Sequence, residues 1–175
     1  MKRELSHEQI AQNIQTLQAL CLEANRDAML ITSFDEFLNE YVPLEDNRRY
    51  FITGFTGSVA WVVVPKSGKI RLYIDGRYTE QAKNQVPGHL VDTIVCASSG
   101  SVEDCLLDDL SPGLSLLVEG KRLPDWFFQK LQSRFNCALL SSPIMDKSIS
   151  PLINDIKKWL LSYRVNTGTL VSKVY

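Results

Sequence analysis

Histidine is scarce in this chain: His7 and His89 are the two in 175 residues. A zinc or two-metal hydrolase needs His, Asp and Glu gathered at ligand spacing. These two have no such spacing, and the pattern predicts solvated surface histidines. Cysteine is sparse as well, and Cys21, Cys96, Cys105 and Cys137 include no C-x-x-C pair. That argues against a zinc finger or a disulfide framework and predicts free, mostly buried thiols in a reducing compartment. Neither sign of charge is in excess. The formal net charge of -1 predicts no general attraction to nucleic acid or to an acidic membrane surface. No apolar run approaches the roughly 20 residues of a membrane span. The opening "MKRELSHEQIAQ" turns polar where a signal peptide would need an apolar core. The expectation is a soluble, cytoplasmic chain.

What is present is ordinary globular material, 45% hydrophobic and 22% charged, enough to fill one core. Ser6 and Gln9 form a capping box for a helix whose apolar stripe is Ile10, Ile14, Leu17 and Cys21. "AMLITS" reads as a buried strand, and "DEFLNEYVPLEDN" as an irregular segment that Pro43 keeps from being helical. "RRYFITGF", "SVAWVVVP" and "KIRLYID" are rich in β-branched and aromatic residues and read as a β-meander with a turn at "KSGK". Helices and strands then alternate. Ser101 caps "SVEDCLLDDL" with Asp104 in box position, Pro124 stands in the first turn of the next helix, and "CALLSS" is a strand. "SPLINDIKKWLLSYRV" reads as a last amphipathic helix, and residues 162–175 as an irregular tail. Domain 1–161 is expected to be α/β, a mixed sheet flanked by helices.

No complete catalytic set is legible. Ser58 in "GFTGSVA" does not fit the G-x-S-x-G elbow and reads as a turn or strand-start serine. The glycines there lie between two expected strands, so no Rossmann phosphate loop is indicated. Asp108 and Asp109 fall near a helix C-terminus, where carboxylates are disfavoured; a solvated helix end is the simpler reading. What remains is a cluster: Asp46, Arg48 and Arg49 before one strand, and Asp75, Gly76, Arg77 and Tyr78 closing another. Arg77 gains nothing from the start of a helix, so it reaches either for a carboxylate ligand or for an internal acid such as Asp46 or Glu45. The pattern by itself favours the internal pair.

"DNRRYFITGFTGS" followed by "LYIDGRYTEQA" resembles the N-terminal domain of the Xaa-Pro aminopeptidases in the creatinase/prolidase family, the three-domain aminopeptidase P branch most of all. The resemblance covers residues 28 to 147. It implies a ribonuclease H-like α/β topology and a non-catalytic role. In such enzymes a later domain carries two divalent metal ions, commonly manganese, while the N-terminal domain packs on the catalytic domain, helps build dimers and limits entry to short proline-containing peptides. The arginine of the family's D-G-R-Y motif is associated with peptide binding, a role that falls on Arg77. The resemblance supplies no catalytic residue, metal ligand or cofactor within this chain, which implies either a piece of a longer peptidase or a relative without its catalytic half. A scaffold or oligomerisation protein of the same fold is the alternative from another class. A ribonuclease H-like nuclease is a third, for which Asp75 is well placed but lacks companion carboxylates. Where the family has G-S-A-G-T, this chain has Gly57-Ser58-Val59-Ala60-Trp61. Gly54 and Gly57 are expected to form a corner between adjacent strands.

Overall fold

Four consecutive residues buried on both sides, Ala28–Ile31, form strand β1 and mark the centre of the sheet. The computed structural model describes residues 5–97 and 99–140; the expected last helix and the tail lie outside them. Helix α1 (His7–Glu23) precedes β1, and a long segment with helix α2 (Arg48–Thr53) leads to β2 (Ala60–Pro65). Strand β3 (Ile70–Asp75), helix α3 (Thr79–Gln85) and strand β4 (Val91–Cys96) follow, then α4 (Val102–Asp109), β5 (Ser115–Glu119), α5 (Asp125–Arg134) and β6 (Asn136–Leu140). The sheet order is β4-β3-β2-β1-β5-β6. β2 is antiparallel to both neighbours, and every other pairing is parallel. The sheet is mixed, as the pattern of elements predicts.

Alternation along the strands builds two cores. Met29, Ile31, Val62, Val64, Leu72 and Ile74 face α1, α2 and α3. Leu30, Trp61, Val63, Tyr73, Leu116 and Val118 face α4 and α5. Trp61 is wholly buried and meets Phe127 edge-on at 4.6 Å between ring centroids. Its width is therefore absorbed inside the domain. The capping box on α1 is present, and Ser101 Oγ accepts from the Asp104 amide at 3.0 Å. Pro124 is the residue before α5, one position earlier than expected. The thiols are free, with Cys21 and Cys96 buried; burial pushes both up to about 12.

"RRYFITGF" is not a strand. Asn47 Oδ1 accepts from the Tyr50 amide at 3.1 Å, residues 48–53 are helical, and Gly54 closes the helix at φ 72°. A side-chain cap before the segment and a left-handed glycine after it outweigh the β-propensity of Tyr, Phe, Ile and Thr. The meander is β1-β2-β3 instead. Gly54 and Gly57 do not form a corner between strands: the first ends α2, and the second lies in the loop before β2. A Cβ on Gly57 would collide with the Phe55 ring and press on Tyr78. Asp108 and Asp109 are not idle either. Arg134 Nη1 pairs with Asp108 at 3.0 Å, while Asp109 accepts from Arg71 Nη1 at 3.0 Å and the Tyr73 hydroxyl at 2.7 Å. These bonds tie the end of α4 to the end of α5 and to β3.

One carboxylate links the sheet to acid stability. The Asp27 side chain accepts from the Ser115 amide at 3.0 Å, from Lys66 Nζ at 3.0 Å and from Ser115 Oγ at 2.8 Å. The Ser115 amide first, then Lys66, hold its carboxyl down at about 2. A folded value below the unfolded one of about 3.9 contributes stability that is complete above the unfolded value and lost as pH falls through the folded one. Thermal melts of wild type and Asp27→Asn are therefore expected to differ most at neutral pH and to converge between about pH 4 and pH 2. A difference independent of pH would show that the charge contributes nothing.

Candidate functional site

The parallel strands all point their carboxyl ends to one edge of the sheet, where ligand sites of α/β folds form. The loop ends of β1, β3 and β5 bring Ser33, Asp75–Tyr78 and Glu119–Arg122 to that edge, and α2 lies over it. The cluster read from sequence is thus partly assembled, but with different partners. Arg48 donates from Nε to Glu119 Oε2 at 3.2 Å and from Nη2 to Oε1 at 3.1 Å. Arg122 Nε lies 3.3 Å from the same Oε1, an ion-pair distance without the alignment of a hydrogen bond. All three side chains are buried. Burial lowers the Arg122 pKa while the nearby Glu119 carboxylate raises it. Arg122 Nη1 also donates to the carbonyls of Phe34 (3.2 Å) and Asp46 (3.0 Å), pinning both ends of the 34–46 segment.

Arg49 is 1% exposed and has no carboxylate at ion-pair distance among the described residues. Its guanidinium donates to Ser33 Oγ at 3.1 Å and to the carbonyls of Ala60 (2.9 Å), Ser58 (3.4 Å) and Gly57. The Phe55 ring lies against it at 5.5 Å. Burial lowers its pKa to about 10, so it stays charged at neutral pH. A buried cation held by carbonyls joins α2 to the strand-entry loop, and it forms part of a cleft of about 230 Å³. Glu40, Tyr41, Thr56, Gly57 and Ser58 also line the cleft.

Arg77 stands beside this cleft. Its guanidinium lies 5.9 Å from the Tyr78 ring centroid, and the Tyr78 hydroxyl is 2.8 Å from Ser58 Oγ in the cleft wall. The side chain is 76% exposed at the end of β3. Its acid partner is Asp75, with Nε to Oδ1 at 3.0 Å and Nη2 to Oδ2 at 3.3 Å, and not Asp46 or Glu45. Asp75 also caps the turn by accepting from the Arg77 amide at 2.9 Å. An i,i+2 pair of this kind holds the guanidinium in one orientation while leaving its outer face to solvent. The Asp75 hydrogen bonds, then its charge, raise the Arg77 pKa, and the same contacts lower that of Asp75.

The segment between the pinned ends has an irregular sequence pattern, yet its turn is hydrogen-bonded. Asp35 Oδ1 accepts from the amides of Phe37 and Asn39, both at 2.9 Å, and the turn presents Phe37 (78% exposed) and Tyr41 (80%) outward. A wide apolar groove of about 960 Å³ lies on its other side, with Phe34, Leu38, Leu123 and Trp126 in its walls. Glu119 inside the apolar run "SLLVE" was the available signal for the buried triad, since a buried acid needs a cation. His7 and His89 fall outside this edge. Among the described residues no three His, Cys, Asp or Glu gather to hold a metal ion. No helix among them is long and apolar enough to cross a membrane.

A family model described as the Creatinase/Prolidase N-terminal domain matches residues 13–150. The chain is similar to Xaa-Pro aminopeptidase 1 of Dictyostelium discoideum, 24% identical over 126 residues, which cover 70% of this chain and 20% of that protein. It is also similar to the "Probable Xaa-Pro aminopeptidase P" of Coccidioides posadasii, 42% identical over 76 residues, covering 43% and 12%. The chain therefore spans a fifth or less of these relatives. Among solved structures, an X-prolyl aminopeptidase from Caenorhabditis elegans, described as a cytosolic enzyme with a di-nuclear active site, aligns with a TM-score of 0.63 at 24% identity. That alignment covers 77% of this chain and 24% of that one. The creatinase/prolidase-like N-terminal domain of a Corynebacterium diphtheriae protein aligns with a TM-score of 0.60 at 23% identity, over 77% and 98%. At these identities the two structures show a shared fold.

Proposed function

The chain belongs to the creatinase/prolidase N-terminal domain family, and from that membership we propose that it is the non-catalytic N-terminal module of a cytoplasmic Xaa-Pro aminopeptidase-like metallopeptidase. In this role it packs on the catalytic domain, contributes to dimer assembly and limits entry to short proline-containing peptides. The metal chemistry, two divalent ions in the family, belongs to the catalytic domain. No step of it is assigned to the residues described above.

The observation that carries the reading is the placement of Arg77. An arginine fixed by its own aspartate, with its outer face open beside a cleft, suits the two-pronged hold on a carboxylate that a short peptide offers. The dimer role rests on the family resemblance, and the ordered, outward-facing aromatics Phe37 and Tyr41 supply a surface on which the module can pack.

Arg77→Ala in the peptidase that carries this domain is the test. Because the side chain is exposed, the melting temperature is expected to stay within about 1–2 °C of wild type. kcat/KM for short Xaa-Pro peptides is expected to fall about 10- to 100-fold, the loss of one charge-assisted contact. Unchanged kcat/KM in the folded variant would overturn the substrate role of Arg77. A folded, full-length parent with no Xaa-Pro cleavage would instead favour a scaffold.

A further inference from the structure

His7 and His89 are far apart in sequence, yet their ring centroids lie 5.3 Å apart with planes tilted by 50°. Both residues are exposed. Neither ring has another protein partner among the described residues, so the ring nitrogens are available as ligands. The two backbones are fixed independently. His7 opens α1, where Ser6 Oγ accepts from the Gln9 amide at 3.2 Å and Gln9 Oε1 accepts from the Ser6 amide at 3.0 Å. His89 sits in a turn closed by the amides of Leu90 and Val91 on the Pro87 carbonyl, at 2.9 and 3.0 Å. Lys69 Nζ steadies the same turn through the Gly88 carbonyl at 2.8 Å, and Asp92 pairs with that ammonium at 3.1 Å.

Two imidazoles that share a tetrahedral ion, each with a metal–nitrogen bond of about 2.0–2.1 Å, have ring centres about 5 Å apart. The observed separation of 5.3 Å is close to that distance, and both side chains are exposed and free to turn a nitrogen toward a shared ion. Glu8 in the first turn of α1 offsets the positive end of the helix dipole that a cation would meet. We infer that His7 and His89 form a two-imidazole site for a divalent transition-metal ion of the zinc type, with water completing the tetrahedron. The bound ion clasps the start of α1 to the turn between α3 and β4. The site is separate from the sheet edge that carries Arg77 and does not depend on the peptidase reading.

The experiment is a zinc chloride titration of the 175-residue chain under a non-chelating reductant and excess magnesium, followed by imidazole NMR and thermal unfolding. Both histidines are expected to shift together and to saturate at one ion per chain, with a rise in melting temperature. His7→Gln or His89→Gln is expected to weaken binding about tenfold or more, at least the loss seen when a supporting residue of a metal site is removed. Both changes lie on exposed side chains and leave the fold intact, so a loss of binding reports on the site. The proposal is overturned if one histidine shifts without the other. It is also overturned if zinc at millimolar concentration moves neither, or if the double variant binds with unchanged affinity through the thiols.

Discussion

Glu119→Leu is expected to destabilise the domain by about 3–5 kcal/mol, the range for removing one partner of a buried ion pair. The carboxylate serves two buried guanidiniums, Arg48 and Arg122. Without it, two positive charges face each other in an apolar interior. Set against a typical domain stability of about 5–15 kcal/mol, the change removes about a fifth or more. Urea denaturation followed by circular dichroism measures it. The triple variant Arg48→Met, Glu119→Leu, Arg122→Met is expected to recover much of the loss, because exchanging a whole buried ionic group for apolar side chains is often neutral. It should not recover the 34–46 segment, whose ends depend on Arg122 donating to Phe34 and Asp46. Faster amide exchange in that segment, in a triple variant of near-normal stability, is the expected signature. A Glu119→Leu loss below about 1 kcal/mol would show that water reaches the arginines and screens them.

Arg49→Ala is expected to cost about 3–5 kcal/mol as well, through a different route: lost volume together with unsatisfied acceptors. The carbonyls of Gly57, Ser58 and Ala60 converge on this one side chain. They are the exit from α2 and the entry to β2, so the loop that bears Gly57 and Ser58 loses its anchor. Two further substitutions separate the contributions. Arg49→Met restores the stem volume and leaves the Gly57 and Ser58 carbonyls without this donor, while Ala60 keeps the Ser33 hydroxyl, so it is expected to retain most of the loss. Arg49→Lys keeps a charge and some donors, so it is expected to lose about half as much as alanine. Equal losses for lysine and methionine would mean that volume, and not the hydrogen bonds, carries the effect. Because the cleft lies beside Arg49, the same variants are expected to disturb the Ser58–Tyr78 contact next to Arg77.

Local chemistry decided much of this domain and is legible one segment at a time. Ser6 with Gln9 and Ser101 with Asp104 start helices because a hydroxyl satisfies the free amides of the first turn. "AMLI", "AWVVVP" and "IRLYID" are strands because their apolar, β-branched runs suit burial on both faces of a sheet. Asp75 to Tyr78 reads as the close of a strand, and the acid partner of Arg77 is a local one two residues away, Asp75, where the pattern suggested Asp46 or Glu45. Segment 48–53 is different. Six residues are too short for periodicity to separate helix from strand, and its two arginines are stable only where Glu119 and the Gly57–Ala60 carbonyls meet them. Neither the parallel pairing of β1 with β5, which brings Glu119 to Arg48, nor the meeting of His7 with His89 leaves a mark in either local sequence. Contacts between distant residues are decided by how layers stack on the sheet. Propensity, capping and turn chemistry act over a few residues and end where that stacking begins.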